Sequence, residues 1–204
     1  RLMPEHTVPA QIHDVTRAIR YLKAHRAEVP FDTLIVAGGS SGGHLAALAA
    51  TSAGALEPTG LPDDLAAQDS SIDGAVSLSG IMDLTRFWTA NHGWAKPLSD
   101  GFLGCDSATC DPAVMLDASP THWVGPQDPP LFVVAGAGDT LVTPTDNADR
   151  MWDAYQRQGT PDHCWYDLLG NAEHMLYEDF DPARVDEFLI HFGLLDPPSV
   201  RPGV

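Results

Sequence analysis

Residues 34–48 read Leu-Ile-Val-Ala-Gly-Gly-Ser-Ser-Gly-Gly-His-Leu-Ala-Ala-Leu, and this stretch determines the fold class of the chain. Its first part, 34–37, is short and aliphatic, which is typical of a strand buried on both faces of a parallel sheet. Its last part is rich in alanine and leucine and favours a helix. Between the two the backbone must reverse within a few residues, which favours glycine because glycine has no Cβ atom. The stretch therefore predicts a strand, a tight turn and a helix.

A serine at the apex of this turn would carry an accessible hydroxyl. The backbone N–H groups at the helix start would then point toward whatever that hydroxyl attacks. The pattern G-x-S-x-G of a nucleophile elbow fits in two registers, one centred on Ser40 and one on Ser41. The alternative is a turn used only for close packing or phosphate binding. A Walker-type phosphate loop is disfavoured because it would need Gly-Lys-Ser/Thr, and no lysine lies here.

The chain of 204 residues is long enough for one substantial core, and we expect a single domain over 1–204. Strand-like and helix-like segments alternate, which favours an α/β fold with a mostly parallel sheet covered by helices on both faces. After the first strand, further strands are predicted at 75–78, 131–135 and 163–169.

The segment at about 84–118 lies between the second and third of these strands, where it can form a cap or a pocket wall. Its aromatic residues are Phe87, Trp88, Trp94 and Phe102. Because aromatic side chains serve binding pockets and ordinary cores alike, both interpretations stay open.

The net charge is -17, from 28 acidic and 11 basic residues. Such a surface repels phosphate backbones, so we expect no nucleic-acid partner. No apolar run approaches the ~18 residues of a membrane span, and none is predicted. The N-terminus lacks the features of a signal peptide, but the first residue is Arg1 rather than Met. The location, cytoplasmic or secreted, therefore stays open.

Two of the three cysteines, Cys105 and Cys110, are five positions apart, a spacing that a small loop disulfide can span. Cys164 lies in a predicted strand and is expected to be a buried thiol. A metal site is the weaker interpretation, because no second Cys/His pair with zinc-like spacing follows. A disulfide would favour secretion, because such bonds persist in oxidising compartments.

The stretch 34–48 as a whole resembles the elbow of α/β-hydrolase serine esterases of the hormone-sensitive-lipase-like type. Their elbow is a strand, then Gly, x, Ser, a small residue, Gly and Gly, followed by a polar residue and an Ala/Leu helix. The stretch 1–10 is similar to their Tyr-Arg-Leu-Ala-Pro-Glu-His stretch, and 118–120 to an Ala-Ser-Pro that often precedes the acid strand. The resemblance implies that Ser40 is the nucleophile and that the Ser41 N–H helps to bind the oxyanion.

A serine nucleophile needs a base, and the base needs a carboxylate that fixes its tautomer. In α/β-hydrolases the order along the chain is serine, acid, histidine, and reactive groups gather beyond the C-terminal ends of the strands. Asp139 and His174 each follow a predicted strand and come in this order. Their surroundings, 131–142 and 169–175, also resemble the acid segment and the histidine loop of the family. We therefore predict Asp139 as the acid and His174 as the base.

Other residues compete for these two roles. Asp139 could simply cap a following helix. Asp146 and Asp149 are alternative acids, but both fall inside a helical pattern, and His122 is the main alternative base. Three further histidines are better explained as surface or packing residues: His44, His163 and His191.

The sequence departs from the family pattern at its start. In these relatives several strands precede the Arg-Leu-x-Pro-Glu stretch and include a His-Gly-Gly loop that donates the remaining oxyanion N–H groups. This sequence begins after that point, so we expect the fold without its N-terminal strands. Three explanations stay open: a preceding segment, a second chain or homo-oligomer that completes the sheet, or impaired activity.

The resemblance implies a serine carboxylesterase that hydrolyses small or medium carboxylic esters through an acyl-enzyme, with no metal or organic cofactor. An arylformamidase or peptidase with the same triad is one alternative, because the pocket rather than the triad selects the substrate. The other alternative is a non-catalytic binding protein on a hydrolase fold, which the absent oxyanion loop favours.

Overall fold

The computed structural model describes residues 1–52, 54–90, 96–176 and 179–198. Its centre is a sheet of four parallel strands in the order β1-β2-β3-β4. The strands are β1 (Ile35–Gly39), β2 (Gly74–Leu78), β3 (Leu131–Gly136) and β4 (Cys164–Leu169). Because Gly39 pairs with Leu78 and Leu78 with Val134, the strands end at one common edge.

Helices connect the strands, as parallel pairing requires. They are α1 (Ala10–Ala24), α2 (Ser41–Thr51), α3 (Asp63–Ala66), α4 (Leu84–Ala90), α5 (Lys96–Leu103), α6 (Pro112–Asp117), α7 (Pro120–Trp123), α8 (Ala148–Gln158) and α9 (Ala183–His191). Two short 3₁₀ turns, Pro144–Asp146 and Pro161–His163, precede α8 and β4. None of the helices in the described ranges is both long and apolar enough to span a membrane.

The core has two layers, one on each face of the sheet. On one face α1, α2 and α8 pack against the strands, with Met151 and Tyr155 of α8 fully buried. On the other face α9 covers the sheet, and its Phe188 ring lies 5.4 Å from that of Phe132. The predicted parallel sheet with helices on both faces is therefore confirmed.

The expectation for the first strand was only partly right. A strand forms there, but Ala37 and Gly39 are exposed, so β1 is not buried on both faces. The reason is position, because β1 lies at the edge of the described sheet and pairs with β2 alone.

The segment 84–118 forms α4, α5 and α6 and contributes to a third cluster, which also contains Val142 and contacts Val8, Ile81 and Leu141. Leu84, Phe87 and Leu103 are buried there, and Phe102 is half-buried against them. Trp94 and the side chain of Trp88 lie outside the described residues. Phe87 and Phe102 therefore belong to this third cluster of the core.

The cysteines take two different forms in the structure. Cys105 and Cys110 are joined by a disulfide, with 5.5 Å between their Cα atoms. Cys164 is a free, buried thiol in β4, as expected, and burial raises its pKa to about 12. The disulfide closes the loop that leads from α5 to α6.

Candidate active site

Ser40 lies between β1 and α2 in a backbone conformation that serine rarely adopts. Its φ is 55° and its ψ is -118°. Residues with a Cβ atom avoid positive φ, and such strain is often found at active sites. The Ser40 N–H donates to the Leu78 carbonyl oxygen at 2.8 Å, which fastens the turn to the end of β2. The backbone geometry therefore marks Ser40, rather than Ser41, as the apex of the elbow.

The glycines of the elbow permit an unusually close backbone approach. A Cβ atom on Gly38 would lie 2.4 Å from the carbonyl carbon of Gly42, which no side chain can tolerate. Ser41 is already the first residue of α2 and is exposed. The strand, turn and helix predicted from residues 34–48 thus form, with Ser40 at the apex of the turn.

Two hydrogen bonds connect Ser40, His174 and Asp139. Nε2 of His174 lies 2.9 Å from Ser40 Oγ, and its Nδ1 lies 2.8 Å from Asp139 Oδ2. A carboxylate can only accept, so Nδ1 carries the ring proton and Nε2 is left to accept the serine hydroxyl proton. This is the arrangement in which an imidazole can act as a general base toward a serine.

The carboxylate of Asp139 is fully buried, and both of its oxygens are occupied. Oδ2 faces His174, while Oδ1 accepts the backbone N–H groups of Leu141 and Val142, each at 2.8 Å. Backbone donors of this kind stabilise a buried negative charge without water. No helix begins directly after Asp139, so the capping alternative was wrong. Its Oδ1 instead closes a turn, while Oδ2 pairs with His174.

The loop after β4 carries His174 to this position by crossing the end of β3. The Gly138 N–H donates to the Ala172 carbonyl oxygen at 2.9 Å. A Cβ atom on Gly136 would lie only 2.2 Å from that same oxygen. The acid segment and the histidine loop are thus held in direct backbone contact.

The start of α2 offers backbone donors beside Ser40. The first backbone bond of the helix runs from the His44 N–H to the Ser40 carbonyl oxygen at 2.9 Å. The N–H groups of Ser41, Gly42 and Gly43 come before it and have no helical acceptor, as at any helix N-terminus. The partial positive charge of this helix end favours a developing oxyanion.

The alternatives considered for the acid and the base have other partners. Of the described residues, His174 is the one whose side chain hydrogen-bonds to the Ser40 hydroxyl. The other candidates pair as follows: Asp146 with Thr143, Asp149 with Tyr166, His122 with Trp123, His163 with Asp128, and His191 with Trp165. His44 is buried, in agreement with packing and not with a surface position.

Two features of the site were not predicted from the sequence. The first is the pair of N–H donors from Leu141 and Val142, for which an aspartate followed by a turn is the available signal. The second is Ser79, which follows β2 and also has a positive φ, of 48°. No sequence pattern indicates that conformation, since serine is not a residue expected at positive φ.

Comparison with known proteins assigns the chain to a family. The BD-FAE family model matches residues 1–152. The probable carboxylic ester hydrolase LipM of Mycobacterium tuberculosis is 36% identical over an alignment of 184 residues that covers 84% of this chain and 42% of LipM. Esterase LipQ of the same organism is 33% identical over an alignment of 175 residues that covers 84% of this chain and 40% of LipQ. The chain therefore spans about two fifths of the length of these relatives.

Solved structures share the fold. A truncated carbohydrate esterase from gut microbiota superposes with a TM-score of 0.79 at 23% identity, over 93% of this chain and 70% of that one. The propionate-bound esterase Est2 of Thermogutta terrifontis gives 0.72 at 23% identity, over 96% and 70%. The α/β-hydrolase fold and the resemblance inferred from the sequence are confirmed, and the chain belongs to the BD-FAE family of hormone-sensitive-lipase-like α/β-hydrolases.

Proposed function

We propose that this chain carries the catalytic serine, base and acid of a serine carboxylesterase. The observation that supports the proposal best is the hydrogen-bonded line from Ser40 through His174 to Asp139. Each of the three residues comes from the end of a different strand, and Ser40 has the strained backbone of an elbow. The names of LipM and LipQ, a probable carboxylic ester hydrolase and an esterase, point to the same chemistry.

The proposed reaction proceeds through an acyl-enzyme. His174 Nε2 takes the hydroxyl proton as Ser40 Oγ attacks the ester carbonyl carbon, and Asp139 stabilises the imidazolium that results. The Ser41 N–H donates to the tetrahedral oxyanion. When the ester bond breaks, His174 gives its proton to the leaving alcohol. It then activates a water molecule, which hydrolyses the acyl-enzyme and regenerates Ser40.

The proposed substrates are small or medium carboxylic esters, with the segment 84–118 as a wall of the pocket in a single domain. The support is a contact between α5 and the elbow helix. The Phe102 ring lies 5.5 Å from that of His44, which follows Ser40 by one helical turn. Leu98 is one turn from Phe102 on α5 and is 45% exposed, so this helix has exposed apolar surface on the face that carries Phe102.

A further strand, from the same protein or from a second copy, is proposed to pair with β1. The exposed Ala37 and Gly39 support this, because an open edge strand is a template for pairing. Light scattering tests the second-copy version. A dimer that persists on dilution would support it, and a monomer of 21.9 kDa would contradict it.

A fluorophosphonate probe tests the proposed function directly. The wild type should gain the mass of one phosphonyl group, and peptide mapping should place it on Ser40. Ser40→Ala should abolish labelling, whereas Ser41→Ala keeps the backbone N–H and should still label. A wild type that folds and does not label would favour the non-catalytic binding protein.

Substrate turnover then separates esterase from amide chemistry. Nitrophenyl esters, formylated arylamines and dipeptide amides should be compared at equal concentrations of active sites, which are counted by titrating a separate portion of the protein with the probe. We expect the esters to turn over fastest. Cleavage of the formylated or dipeptide amides without ester hydrolysis would overturn the choice of an esterase while leaving the triad intact.

A further inference from the structure

His44 lies at the fourth position after Ser40, in the first turn of α2, and its imidazole is almost entirely buried, with 4% of its surface exposed. Its Nδ1 lies 2.8 Å from the carbonyl oxygen of Ile81. Because a carbonyl can only accept, Nδ1 carries the ring proton and donates it to Ile81. Burial lowers the pKa of His44 to about 4, so the ring is neutral at physiological pH.

The hydrogen bond from His44 crosses a tight contact between two backbone segments. Ile81 belongs to the turn after β2, which begins at Ser79 with its φ of 48°. In this turn a Cβ atom on Gly80 would lie 2.8 Å from the carbonyl carbon of Gly43 and 3.0 Å from the backbone nitrogen of His44. The turn therefore lies directly on the first turn of α2, and the His44 side chain forms a hydrogen bond across this contact.

The proposed reaction also depends on the first turn of α2. This turn fixes the position of the Ser40 hydroxyl relative to His174 Nε2, a distance of 2.9 Å. It also carries the Ser41 N–H proposed for the oxyanion. A displacement of about 1 Å in such a constellation can reduce turnover by about a hundredfold.

We infer that His44 is a positioning residue, whose Nδ1–H bond to the Ile81 carbonyl holds the elbow helix and its oxyanion donor in register with His174. This inference rests on the proposed esterase function and adds to it. In this inference His44 acts through the elbow helix and not by contact with the substrate, and His174 remains the base.

A simple packing role is the competing explanation, since the His44 ring also meets Phe102 edge to face at 5.5 Å. The two explanations differ in what can replace the histidine. If His44 only fills space, an apolar side chain of similar size suffices. If its hydrogen bond matters, the replacement must place an N–H where Nδ1 is now.

Asparagine and glutamine provide the matched pair of variants. The amide nitrogen of asparagine can occupy the position of Nδ1, whereas that of glutamine lies one methylene further, near the position of Nε2. His44→Asn should therefore retain the bond to Ile81, and His44→Gln should lose it. His44→Leu removes the donor altogether, and His191→Leu, at an exposed histidine on α9, serves as the remote control.

The experiment measures kcat and KM on nitrophenyl acetate, the rate of fluorophosphonate labelling and the unfolding temperature. We expect His44→Gln and His44→Leu to lower kcat and the labelling rate by about ten- to a hundredfold, with KM changed less than about threefold. His44→Asn should stay within about threefold of the wild type, and His191→Leu should match it. Equal activity of the Asn and Gln variants, at either level, would overturn the inference.

A separate measurement keeps the test informative if the leucine variant does not fold. Nitrogen-15 NMR of the imidazole in the wild type should show the proton of His44 on Nδ1 with slow exchange. A proton on Nε2 would overturn the inference whatever the activities are. A wild type that neither labels nor hydrolyses esters would instead overturn the proposed function, so the two failures are distinguishable.

Discussion

Gly136 at the end of β3 and Ala172 in the loop before His174 are in backbone contact, so close that a Cβ atom on Gly136 would lie 2.2 Å from the Ala172 carbonyl oxygen. This contact joins the segment that carries Asp139 to the loop that carries His174. The hydrogen bond between those two residues therefore depends on a position where only glycine fits.

Gly136→Ala should push the two segments apart. We expect a loss of about 1–3 kcal/mol in the free energy of unfolding, as for overpacked sites, and slower fluorophosphonate labelling of Ser40. Urea unfolding and labelling kinetics measure both. Gly170→Ala is the matched control, because a Cβ atom there meets nothing within 4 Å, and it should unfold like the wild type. Equal stability of the two variants would contradict this account of the contact.

The elbow allows a second comparison of two glycines. Gly38→Ala would place a Cβ atom 2.4 Å from the Gly42 backbone, whereas a Cβ atom on Gly42 itself has open space around it. We expect Gly38→Ala to lower the free energy of unfolding by about 1–3 kcal/mol. Gly42→Ala should leave it unchanged or raise it by up to about 1 kcal/mol, because alanine favours a helix. Thermal and urea unfolding decide, and the reverse order of stabilities would be evidence against the elbow geometry.

Much of this architecture could be predicted because it depends on local signals. Residues 34–48 combine a β-type run, glycines and a helix former, and those features determine the backbone path before any packing is considered. Asp139 and His174 could be chosen because each follows a strand, and parallel strands end at one edge of the sheet. Chain order and topology alone thus predict that the two side chains lie near Ser40.

The remainder depends on contacts between segments far apart in the sequence. The exposure of β1 follows from its place at the edge of the sheet, which its own aliphatic sequence does not encode. From the sequence alone His44 is a plausible surface residue on the elbow helix, and it is buried because the turn that contains Ile81 packs against it. Patterns of hydropathy describe one element at a time, and they miss interactions that form only when two turns meet.

Asp139→Asn tests the tautomer argument for the base. An asparagine retains an oxygen for the N–H groups of Leu141 and Val142, so the fold should be kept. Its amide can present an N–H to His174 Nδ1, which would then accept and leave the proton on Nε2, the wrong nitrogen for a base. We expect kcat on nitrophenyl esters to fall by about 10⁴-fold with little change in unfolding temperature. A fall of less than about tenfold would show that Asp139 does not orient His174.

The disulfide offers a test of how the segment 84–118 is stabilised. Cys105 and Cys110 close a loop with a sequence separation of five. A cross-link of this length lowers the entropy of the unfolded chain and thereby stabilises the folded state by about 2 kcal/mol. The double variant Cys105→Ser, Cys110→Ser should lose about that much in the free energy of unfolding. A reductant should destabilise the wild type by the same amount and leave the double variant unaffected. Destabilisation of the double variant by the reductant would point to another cause.

Asp128 predicts a pH dependence of stability that is separate from the active site. It lies before β3, is 5% exposed, and burial raises its pKa from 3.8 to about 6, although its Oδ2 accepts the Gly125 N–H at 2.9 Å. Between pH 4 and 6 the folded state therefore binds more protons here than the unfolded state, so this group makes stability fall as the pH rises.

Asp128→Asn should remove that contribution while keeping an oxygen for the Gly125 N–H. Other carboxylates have lowered pKa values and act in the opposite direction, for example Asp14 beside Arg1, so the difference between the two proteins is the quantity to measure. The free energy of unfolding of the variant minus that of the wild type should increase by up to about 3 kcal/mol as the pH is raised from 4 to 7. Urea unfolding at both pH values measures the gain. A constant difference across this range would mean that Asp128 titrates alike in the folded and unfolded chain, and that its burial is relieved by solvent.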